Sequence, residues 1–517
     1  MTDNNDNMND LQLEDVEDYS ADYPVSDGGY PNAEANMAPA GNANAEDIVN
    51  KSPKYRRAAV IAMVRKNKWP LAVLGIVVVV LISIIAGTSS EPKASSSSSA
   101  SNKELKDWND DNVGDTVQVD FDVGVPPEKM YAESVNQDVL AKFKEGLVNT
   151  FGRHSLDKSL LEKDTPQRQA MIWMCKDKNV NQVEHTEKLQ RYTLAAFFYS
   201  TNMVPSMHVE DPKAWKLAEN WMTNAHSCDW MGVECNEDKV IIAIYLEKNR
   251  LSGKIPVDIA IIANNIESLD FTDNIIHMRD SDFDAFLTLK KLKTLLMDDN
   301  YLFNSDGLPS QMAAMTSLEK LRLSYNVFEG ELNKHSVLDA MTELTHLEVE
   351  SNYFTGTMPT SAISNMENLT YLYMRRNDMK FNLDFIKGGK FNNMFAMWLD
   401  GNRVYGTIPA EIGLMTGLGS LSLANTTLTG TIPTQIGKLK QLRRLWLFNN
   451  KLTGSIPDEL NNLNLLEVVE FHGNQLKGTM PQGVCASVGN SGYEYKSLTS
   501  DCVKEVTCSK ECCTKCY

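Results

Sequence analysis

The 517-residue sequence predicts an α/β solenoid, because one short pattern recurs ten times between residues 241 and 484. The pattern is apolar-x-x-apolar-x-apolar-x-x-Asn, and its last positions follow one another at steps of 24 to 26 residues. Such a unit is too small to bury its own apolar side, so stacked units must share a continuous core. The pattern ends at Asn249, Asn274, Asn300, Asn326, Asn352, Asn377, Asn402, Thr426, Asn450 and Asn474.

Each repeat begins with a predicted β-strand, in which successive side chains point to opposite sides. In one of the later repeats, Leu442, Leu445 and Leu447 should point into the core, and Arg444 and Trp446 should point outward. The outward side chains of all strands together form one face of the solenoid.

The asparagine at the end of the pattern is predicted to turn the chain. Its short polar side chain can hydrogen-bond backbone groups that the turn leaves without partners. Repeated on successive coils, these side chains should form an internal polar ladder, in which Thr426 can serve less well.

After the asparagine, seven repeats continue with apolar-x-Gly and six with Ile-Pro or Met-Pro, as in Leu452-Thr453-Gly454 and Ile456-Pro457. Glycine permits a tight turn and proline fixes an extended stretch. The full motif resembles the plant-type subclass of leucine-rich repeats. That resemblance implies a twisted horseshoe with a parallel sheet on its concave face. Some early repeats lack the Gly or the Pro, so the first half should be less regular.

Residues 1–68 are predicted to be a disordered cytoplasmic tail. Residues 1–50 carry twelve acidic residues and no basic one, and they account for about two thirds of the chain's net charge of −18. A segment this polar cannot bury enough surface to offset its ordering entropy. Residues 51–68 have a positive net charge instead, with seven basic residues and no acidic residue.

Residues 69–90 are predicted to be a transmembrane signal-anchor helix, because the run is uncharged and long enough to span a bilayer. A buried core helix is the alternative. The basic residues before the run place the N-terminus in the cytoplasm and the repeats outside, as a single-pass protein expected in the plasma membrane.

Two segments separate this helix from the repeats. Residues 91–130 form a Ser-rich linker, and residues 131–240 are predicted to form a helical N-terminal cap with a cysteine pair. Thr165-Pro166 has the composition of a helix start. A solenoid needs such a cap to shield the open edge of its first repeat.

The cysteines indicate an oxidising compartment. The motif from Trp221 to Cys235 resembles the plant-type N-terminal cap, and the resemblance implies a Cys228–Cys235 disulfide. Residues 485–517 form a Cys-rich C-terminal cap, for which disulfides are favoured over a zinc site at Cys513-x-x-Cys516. Its cysteines are Cys485, Cys502, Cys508, Cys512, Cys513 and Cys516. Cys175 is expected to be a buried free thiol. The sequons at Asn368 and Asn425 predict a glycoprotein if the repeats are extracytoplasmic.

The outward strand positions of the later repeats are predicted to bind a ligand. Tyr373, Trp398 and Trp446 share one column, with Ser422 between the two tryptophans. Exposed aromatic and arginine side chains dominate binding hot spots. The alternative is that the aromatic residues pack across strands. The early repeats are acidic, which we interpret as a solvated face. The complete set of predicted ligand-binding residues is Tyr371, Tyr373, Arg375, Arg376, Trp398, Arg444, Trp446 and Phe448.

We expect no enzyme activity, cofactor, metal or nucleic-acid partner, because no catalytic or ligand-spaced motif is visible. The chain resembles plant receptor-like proteins that lack a kinase, although its anchor precedes the repeats. The whole arrangement resembles diatom membrane leucine-rich repeat proteins, and that resemblance implies surface recognition or adhesion. The predicted function is extracytoplasmic recognition of a protein, peptide or polysaccharide, with a possible signalling co-receptor. The alternatives are structural adhesion to a wall or matrix, and inhibition of secreted hydrolases.

Overall fold

The main sheet of the solenoid runs through all ten repeats. The computed structural model describes residues 165–176, 183–202, 215–388, 391–490, 497–501, 506–507, 513 and 515–516. The predicted tail, signal-anchor and linker lie outside these ranges. Within them, no helix has the length and apolar character needed to cross a membrane.

Thirteen strands of the described residues pair in this main sheet, and only the first strand is antiparallel to its neighbour. Strands are numbered in chain order over the whole molecule. Those of the main sheet are β1 (Val233–Cys235), β2 (Ile241–Tyr245), β4 (Ser268–Asp270), β6 (Thr294–Leu296), β7 (Lys320–Arg322), β9 (His346–Glu348), β11 (Tyr371–Tyr373), β13 (Ala396–Trp398), β15 (Ser420–Ser422), β17 (Arg444–Trp446), β19 (Val468–Glu470), β21 (Ser497–Ser500) and β23 (Lys515–Cys516). The predicted solenoid with a many-stranded parallel sheet is therefore confirmed.

The strands alternate as the repeat pattern predicts. Leu372, Met397, Leu421 and Leu445 are in register on successive strands and fully buried in one continuous core. The residues on either side of each point to the opposite face. One core therefore serves every repeat, and each repeat is stabilised by its neighbours.

The predicted asparagine ladder is present. In one rung, Asn450 Nδ2 donates to Leu423 O at 2.8 Å and to Leu447 O at 3.1 Å, while its Oδ1 accepts from Leu428 N at 3.0 Å. One side chain thus joins two coils through buried backbone groups. Thr426 Oγ1 carries a single proton and lies 3.1 Å from Leu423 O and 2.5 Å from Asn450 Oδ1, so it can donate to only one of these two acceptors at a time.

The apolar-x-Gly segments form further parallel strands on the flank of the solenoid. In the later repeats they form a six-stranded second sheet of β12 (Lys380–Asn382), β14 (Arg403–Thr407), β16 (Thr427–Gly430), β18 (Lys451–Ser455), β20 (Gln475–Thr479) and β22 (Val506–Thr507). The early repeats contain only the pairs β3 (Ser252–Gly253) with β5 (Ile275–Ile276) and β8 (Glu329–Glu331) with β10 (Tyr353–Thr355). The first half is thus less regular, as expected.

Short helical turns complete the repeats on the convex side. One is an α-helix, α3 (Thr360–Asn365). The others are 3₁₀ turns at Val257–Ile261, Asp280–Thr288, Ser310–Ala314, Leu338–Ala340, Asp384–Gly388, Ala410–Leu414, Thr434–Lys438 and Asp458–Asn462.

Two helices, α1 (Pro166–Lys176) and α2 (His185–Thr201), lie in the predicted N-terminal cap region. The hydroxyl of Thr165 accepts from Arg168 N, as expected for a helix start. Asp258 of the first repeat accepts from Gln167 of α1 at 2.7 Å and from Tyr192 of α2 at 2.9 Å. Residues 215–232 form turns with one 3₁₀ segment, Ser227–Asp229, so this part of the predicted helical cap is not α-helical.

The C-terminal region continues the main sheet after the last repeat. Helix α4 (Gln482–Asn490) precedes β21, which pairs with β19 of the last repeat. The carboxylate of Asp501 accepts from Gly473 N at 2.9 Å and from Asn474 N at 3.0 Å. These contacts satisfy backbone groups at the edge of the repeat array.

Disulfides occur at both ends of the repeats. Cys228 and Cys235 are bonded, as the cap motif implied. Cys485 and Cys513 are also disulfide-bonded. Cys175 is a free thiol, as expected, but it is half-buried rather than buried; desolvation raises its pKa to about 11, which keeps it protonated at neutral pH. Cys502, Cys508 and Cys512 lie outside the described residues, as does the side chain of Cys516.

Candidate functional site

The main sheet brings the predicted ligand-binding residues together on its outward face. Strand β11 carries Tyr371 and Tyr373, β13 carries Trp398, and β17 carries Arg444 and Trp446. The register places Tyr373, Trp398, Ser422 and Trp446 side by side on consecutive strands. Arg375, Arg376 and Phe448 follow directly after the strand ends. The predicted column is therefore present.

Four of these aromatic side chains, Tyr371, Tyr373, Trp398 and Trp446, pack into what we call the aromatic plate. Tyr373 stacks on Trp398 with ring centroids 4.3 Å apart, and Trp398 meets Trp446 edge-on at 6.0 Å. Tyr371 contacts Tyr373 edge-on at 6.1 Å. Such pairs contribute roughly 0.5–1.5 kcal/mol each beyond the area that they bury.

Trp398 is fixed from several directions. Its indole N–H donates to Ser420 Oγ at 2.8 Å, and the Arg375 guanidinium lies over its ring at 4.7 Å. The two tryptophans meet across β15, whose outward residues Ser420 and Ser422 are small and buried. The intervening strand leaves room for the indole to lean over it. Trp398 is consequently only 5% exposed.

Arg375 is held by a buried ion pair. Its Nε lies 2.5 Å and its Nη2 3.1 Å from the carboxylate oxygens of Glu350, and both residues are buried. This two-point geometry suits a guanidinium and a carboxylate. Because Glu350 neutralises its charge, Arg375 supports the plate and is not placed to attract an acidic ligand.

The predicted site residues differ in how accessible they are. Tyr371, Tyr373, Trp398 and Phe448 are buried, and Phe448 stacks on His472 at 4.8 Å. Arg444 and Trp446 are half-buried, and Arg376 is exposed. Packing across strands therefore accounts for the buried members. The accessible part of the site is made by Trp446, Arg444 and Arg376.

The acidic early half of this face is only partly solvated. Glu247 and Asp273 are exposed, whereas Asp298, Glu348 and Glu350 are buried. Two of the buried carboxylates pair with Arg322, whose Nε lies 2.7 Å from Asp298 Oδ2 and 3.3 Å from Glu348 Oε2. The interpretation of this half as a solvated face was wrong for Asp298, Glu348 and Glu350, which are buried in cross-strand ion pairs.

Burial also shifts ionisation on this face. It raises the pKa of Asp298 to about 6, against the opposing effect of Arg322. Burial likewise raises the pKa of Tyr373, and the carboxylate of Glu348 adds to that rise. The Tyr373 hydroxyl therefore stays protonated at neutral pH. Among the described residues, no group of three or more His, Cys, Asp or Glu side chains could hold a metal ion.

The two sequon asparagines have different surroundings. Asn368 is exposed. Asn425 is half-buried at the end of β15, and its Oδ1 accepts from Asn449 Nδ2 at 2.8 Å. Glycosylation of both stays a prediction, and a glycan on Asn425 would lie beside the aromatic plate.

Comparisons with known proteins agree with this repeat architecture. The family model described as Leucine Rich Repeat matches residues 441–463. Pollen receptor-like kinase 2 from Arabidopsis thaliana is 31% identical over 114 residues, which are 22% of this chain and 17% of that protein. The chain thus spans less than a fifth of the curated relative that it matches.

Two solved structures from Arabidopsis are similar to part of this chain in sequence and in backbone fold. The ectodomain of GASSHO1/SCHENGEN3 in complex with CASPARIAN STRIP INTEGRITY FACTOR 2 is 26% identical, with a TM-score of 0.48, covering 58% of this chain and 34% of that one. The receptor kinase HAESA, in complex with the peptide hormone IDA and the co-receptor SERK1, is 25% identical, with a TM-score of 0.44 and coverages of 55% and 48%. The chain is thus similar to plant-type leucine-rich repeat proteins, among them a receptor-like kinase.

Proposed function

We propose that this chain is a membrane-anchored recognition protein that binds an extracytoplasmic protein, peptide or polysaccharide on the outward face of its main sheet. The observation that carries the proposal is the aromatic plate with its accessible rim. Trp446 is half-buried and presents part of its ring to solvent, Arg444 is the first residue of the same strand, and the exposed Arg376 follows the end of β11, three strands away. Tryptophan and arginine are the side chains most enriched in binding hot spots.

The buried members of the plate give the rim its rigidity. Trp398 supports Trp446, and Trp398 is itself held by Tyr373, Ser420 and Arg375. A pre-organised aromatic surface loses little side-chain entropy on binding. An arginine favours a ligand with acidic groups, which it can contact in planar geometry. Arg376 is the more exposed of the two, because Arg444 is half-buried and its Nε lies 4.0 Å from Glu467 Oε2.

The membrane anchor and the orientation belong to this proposal as well. They depend on the apolar run at residues 69–90 and the basic residues before it. A receptor role is supported by the likeness to the receptor-like kinase, although that likeness covers 22% of this chain. A signalling co-receptor belongs to this proposal as the partner through which binding would be transmitted.

The test is a binding screen of the full-length protein in detergent against libraries of peptides and oligosaccharides. Replacing Trp446 by alanine should weaken the selected ligand by about 2 kcal/mol, or roughly 30-fold. Tyr245→Ala is the matched control, because Tyr245 lies in the same outward column at the other end of the sheet and is 43% exposed. It should leave affinity unchanged.

Two outcomes would overturn the proposal. The first is a selected ligand whose affinity falls equally in Trp446→Ala and Tyr245→Ala. That result would indicate nonspecific binding to exposed aromatic side chains. The second is a ligand insensitive to Trp446→Ala and to Arg444→Ala, which would place recognition elsewhere. In that case, adhesion to wall or matrix material would be the better description.

A further inference from the structure

The exposed face of the second sheet is formed mainly by basic and hydroxyl side chains. We propose that this face binds an extended anionic polysaccharide, one bearing carboxylate or sulfate groups. Strands β12, β14, β16, β18, β20 and β22 contain four basic residues, Lys380, Arg403, Lys451 and Lys477, and no Asp or Glu. Most of the chain's net charge of −18 lies in residues 1–50, and it is the absence of acidic residues from these six strands that makes the face basic.

The basic side chains of this face are accessible. All four are exposed, and within the described residues Lys380, Lys451 and Lys477 form no ion pair. Arg403 pairs with Asp378, which follows the preceding main-sheet strand, at 2.6 Å between Nη2 and Oδ1. Clustered cations that lack acidic partners attract polyanions.

Hydroxyl groups fill the positions between the cations. Thr407, Thr427, Thr429, Thr453, Ser455, Thr479 and Thr507 lie on these strands and are exposed, while the alternate apolar residues are buried. Thr429 Oγ1 donates to Gly406 O at 3.0 Å and Thr453 Oγ1 donates to Gly430 O at 3.2 Å. These bonds order the hydroxyls on neighbouring strands and leave oxygen lone pairs free to accept from sugar hydroxyls.

The glycines between the hydroxyl positions allow neighbouring coils to pack closely. Gly454 has a φ of +79°, and a Cβ there would lie 2.9 Å from Thr431 Cγ2. The same geometry recurs at Gly430, whose added Cβ would lie 2.9 Å from Thr407 Cγ2. Glycine therefore keeps successive strands of this sheet in contact. A continuous six-stranded face suits a linear polymer that lies across several strands.

An exposed aromatic ring lies at one end of this face. Tyr405 on β14 is 44% exposed, and Lys380 Nζ lies 5.9 Å from its ring centroid. The six strands span roughly 24 Å in five steps of about 4.8 Å. Cations, ordered hydroxyls and an aromatic ring along such a length match a charged sugar polymer. The acidic residues Glu329 and Glu331 of β8 mark the limit of the basic face toward the early repeats.

The test compares the full-length protein and its variants on immobilised polygalacturonate and dextran sulfate, with uncharged dextran as reference. The variant combines Lys380→Gln, Lys451→Gln and Lys477→Gln. We expect it to bind both anionic polymers about tenfold more weakly than the wild type at low salt, and to show a weaker salt dependence. Its melting temperature should be unchanged, because all three side chains are exposed.

The matched control combines Lys290→Gln, Lys291→Gln and Lys438→Gln, which changes the net charge equally at exposed positions outside the strands of both sheets. It should bind like the wild type. The hydroxyl contribution is tested separately by Thr453→Val, which keeps the branched shape and should weaken binding by roughly threefold.

Several results would overturn the inference. Equal losses in the two triple variants would show that only net charge matters. Unchanged binding in the second-sheet variant would place the polymer elsewhere, and equal binding to uncharged dextran would remove the role of the cations. Loss of binding to phosphatidylserine vesicles or DNA, with polysaccharide binding intact, would assign the face to another polyanion. Trp446→Ala should not affect polymer binding, so this inference and the proposed function can fail independently.

Discussion

The different exposure of Trp398 and Trp446 separates packing from binding within the aromatic plate. Both residues were predicted from sequence to contact a ligand. Trp398 is 5% exposed and Trp446 is half-buried. We therefore expect Trp398→Ala to act mainly on stability and Trp446→Ala mainly on ligand affinity.

The magnitude for Trp398 follows from its contacts. Truncation removes a nearly buried indole, which typically costs about 3–5 kcal/mol. That figure includes the stacking on Tyr373, the contact with Arg375 and the hydrogen bond to Ser420. For a domain of this size each kcal/mol lowers the melting temperature by about 2–4 °C, so a fall of roughly 6–20 °C is expected. Trp446→Ala loses one edge-on contact, worth about 0.5–1.5 kcal/mol.

The assay is chemical and thermal unfolding of both variants followed by tryptophan fluorescence and far-UV circular dichroism. Trp398→Phe is the informative control, because phenylalanine can keep the stacking on Tyr373 but cannot donate to Ser420 Oγ. It should be intermediate in stability. Combining it with Ser420→Ala should recover part of the loss, since the hydroxyl then no longer lacks its donor.

One result would refute this reasoning. If the Trp398→Ala variant unfolded at the same temperature and denaturant concentration as the wild type but lost ligand affinity, the indole would not be part of the packed surface. The sequence prediction that both tryptophans contact a ligand without supporting stability would then be correct.

Four further predictions follow from the structure. Cys228→Ser should lower the free energy of unfolding by about 2.5 kcal/mol, the entropy expected for a disulfide that closes a loop of this length. Thr426→Asn should stabilise the chain by about 1 kcal/mol, because an amide can bond both coils of the ladder. Asp298 has a raised pKa, so its contribution to stability is full below pH about 4 and is lost as pH rises through about 6; Asp298→Asn should flatten that slope. Protease added to intact cells should remove the repeats and spare a fragment ending near residues 69–90.

Each of these predictions has a contrary outcome. Unchanged unfolding of the Cys228→Ser variant, or stoichiometric zinc bound by the cysteines of the C-terminal region, would oppose a structural role for the disulfides. A destabilised Thr426→Asn variant would mean that the ladder at that coil has no room for an amide. Parallel pH profiles of wild type and Asp298→Asn would show that another group titrates. Repeats protected from external protease would reverse the predicted topology.

The sequence was sufficient for the ladder and the main sheet. Asparagines at a nearly constant step can only satisfy backbone groups if successive coils stack in register, so the period itself determines the architecture. The weaker position was also visible, since Thr426 has one hydroxyl in place of an amide. These features depend on local chemistry that repeats along the chain.

The burial of the aromatic plate could not be predicted in the same way. Alternation along a strand gives the side to which Trp398 points, but not how far its ring leans. The lean depends on the neighbouring strand, where Ser420 and Ser422 are small enough to be covered. The serine between the tryptophans was noticed in the sequence, yet its consequence needs the three-dimensional register.

Two other features were missed for a different reason. The apolar-x-Gly segments were interpreted as turns, whereas Leu452 is buried and Lys451 and Thr453 are exposed on either side of it, as in a strand. Strands β21 and β23 carry no repeat motif, because their pairing is directed by the edge of the sheet that precedes them. Edge pairing of this kind leaves a weak signal in sequence.

The two candidate surfaces share one structural cause. From Asn402 onward the ladder positions repeat every 24 residues, through Thr426 and Asn450 to Asn474. A constant step keeps each residue type at the same height on successive coils, so side chains two strands apart can meet, as Trp398 and Trp446 do. The same constancy aligns threonines and lysines on the second sheet, which is continuous only in this half of the molecule. In the early repeats, where the step is 25 or 26 residues, neither an aromatic plate nor a continuous second sheet forms. The shorter step of the later repeats therefore accompanies both surfaces, and an insertion of one or two residues into any of these coils should weaken both surfaces together.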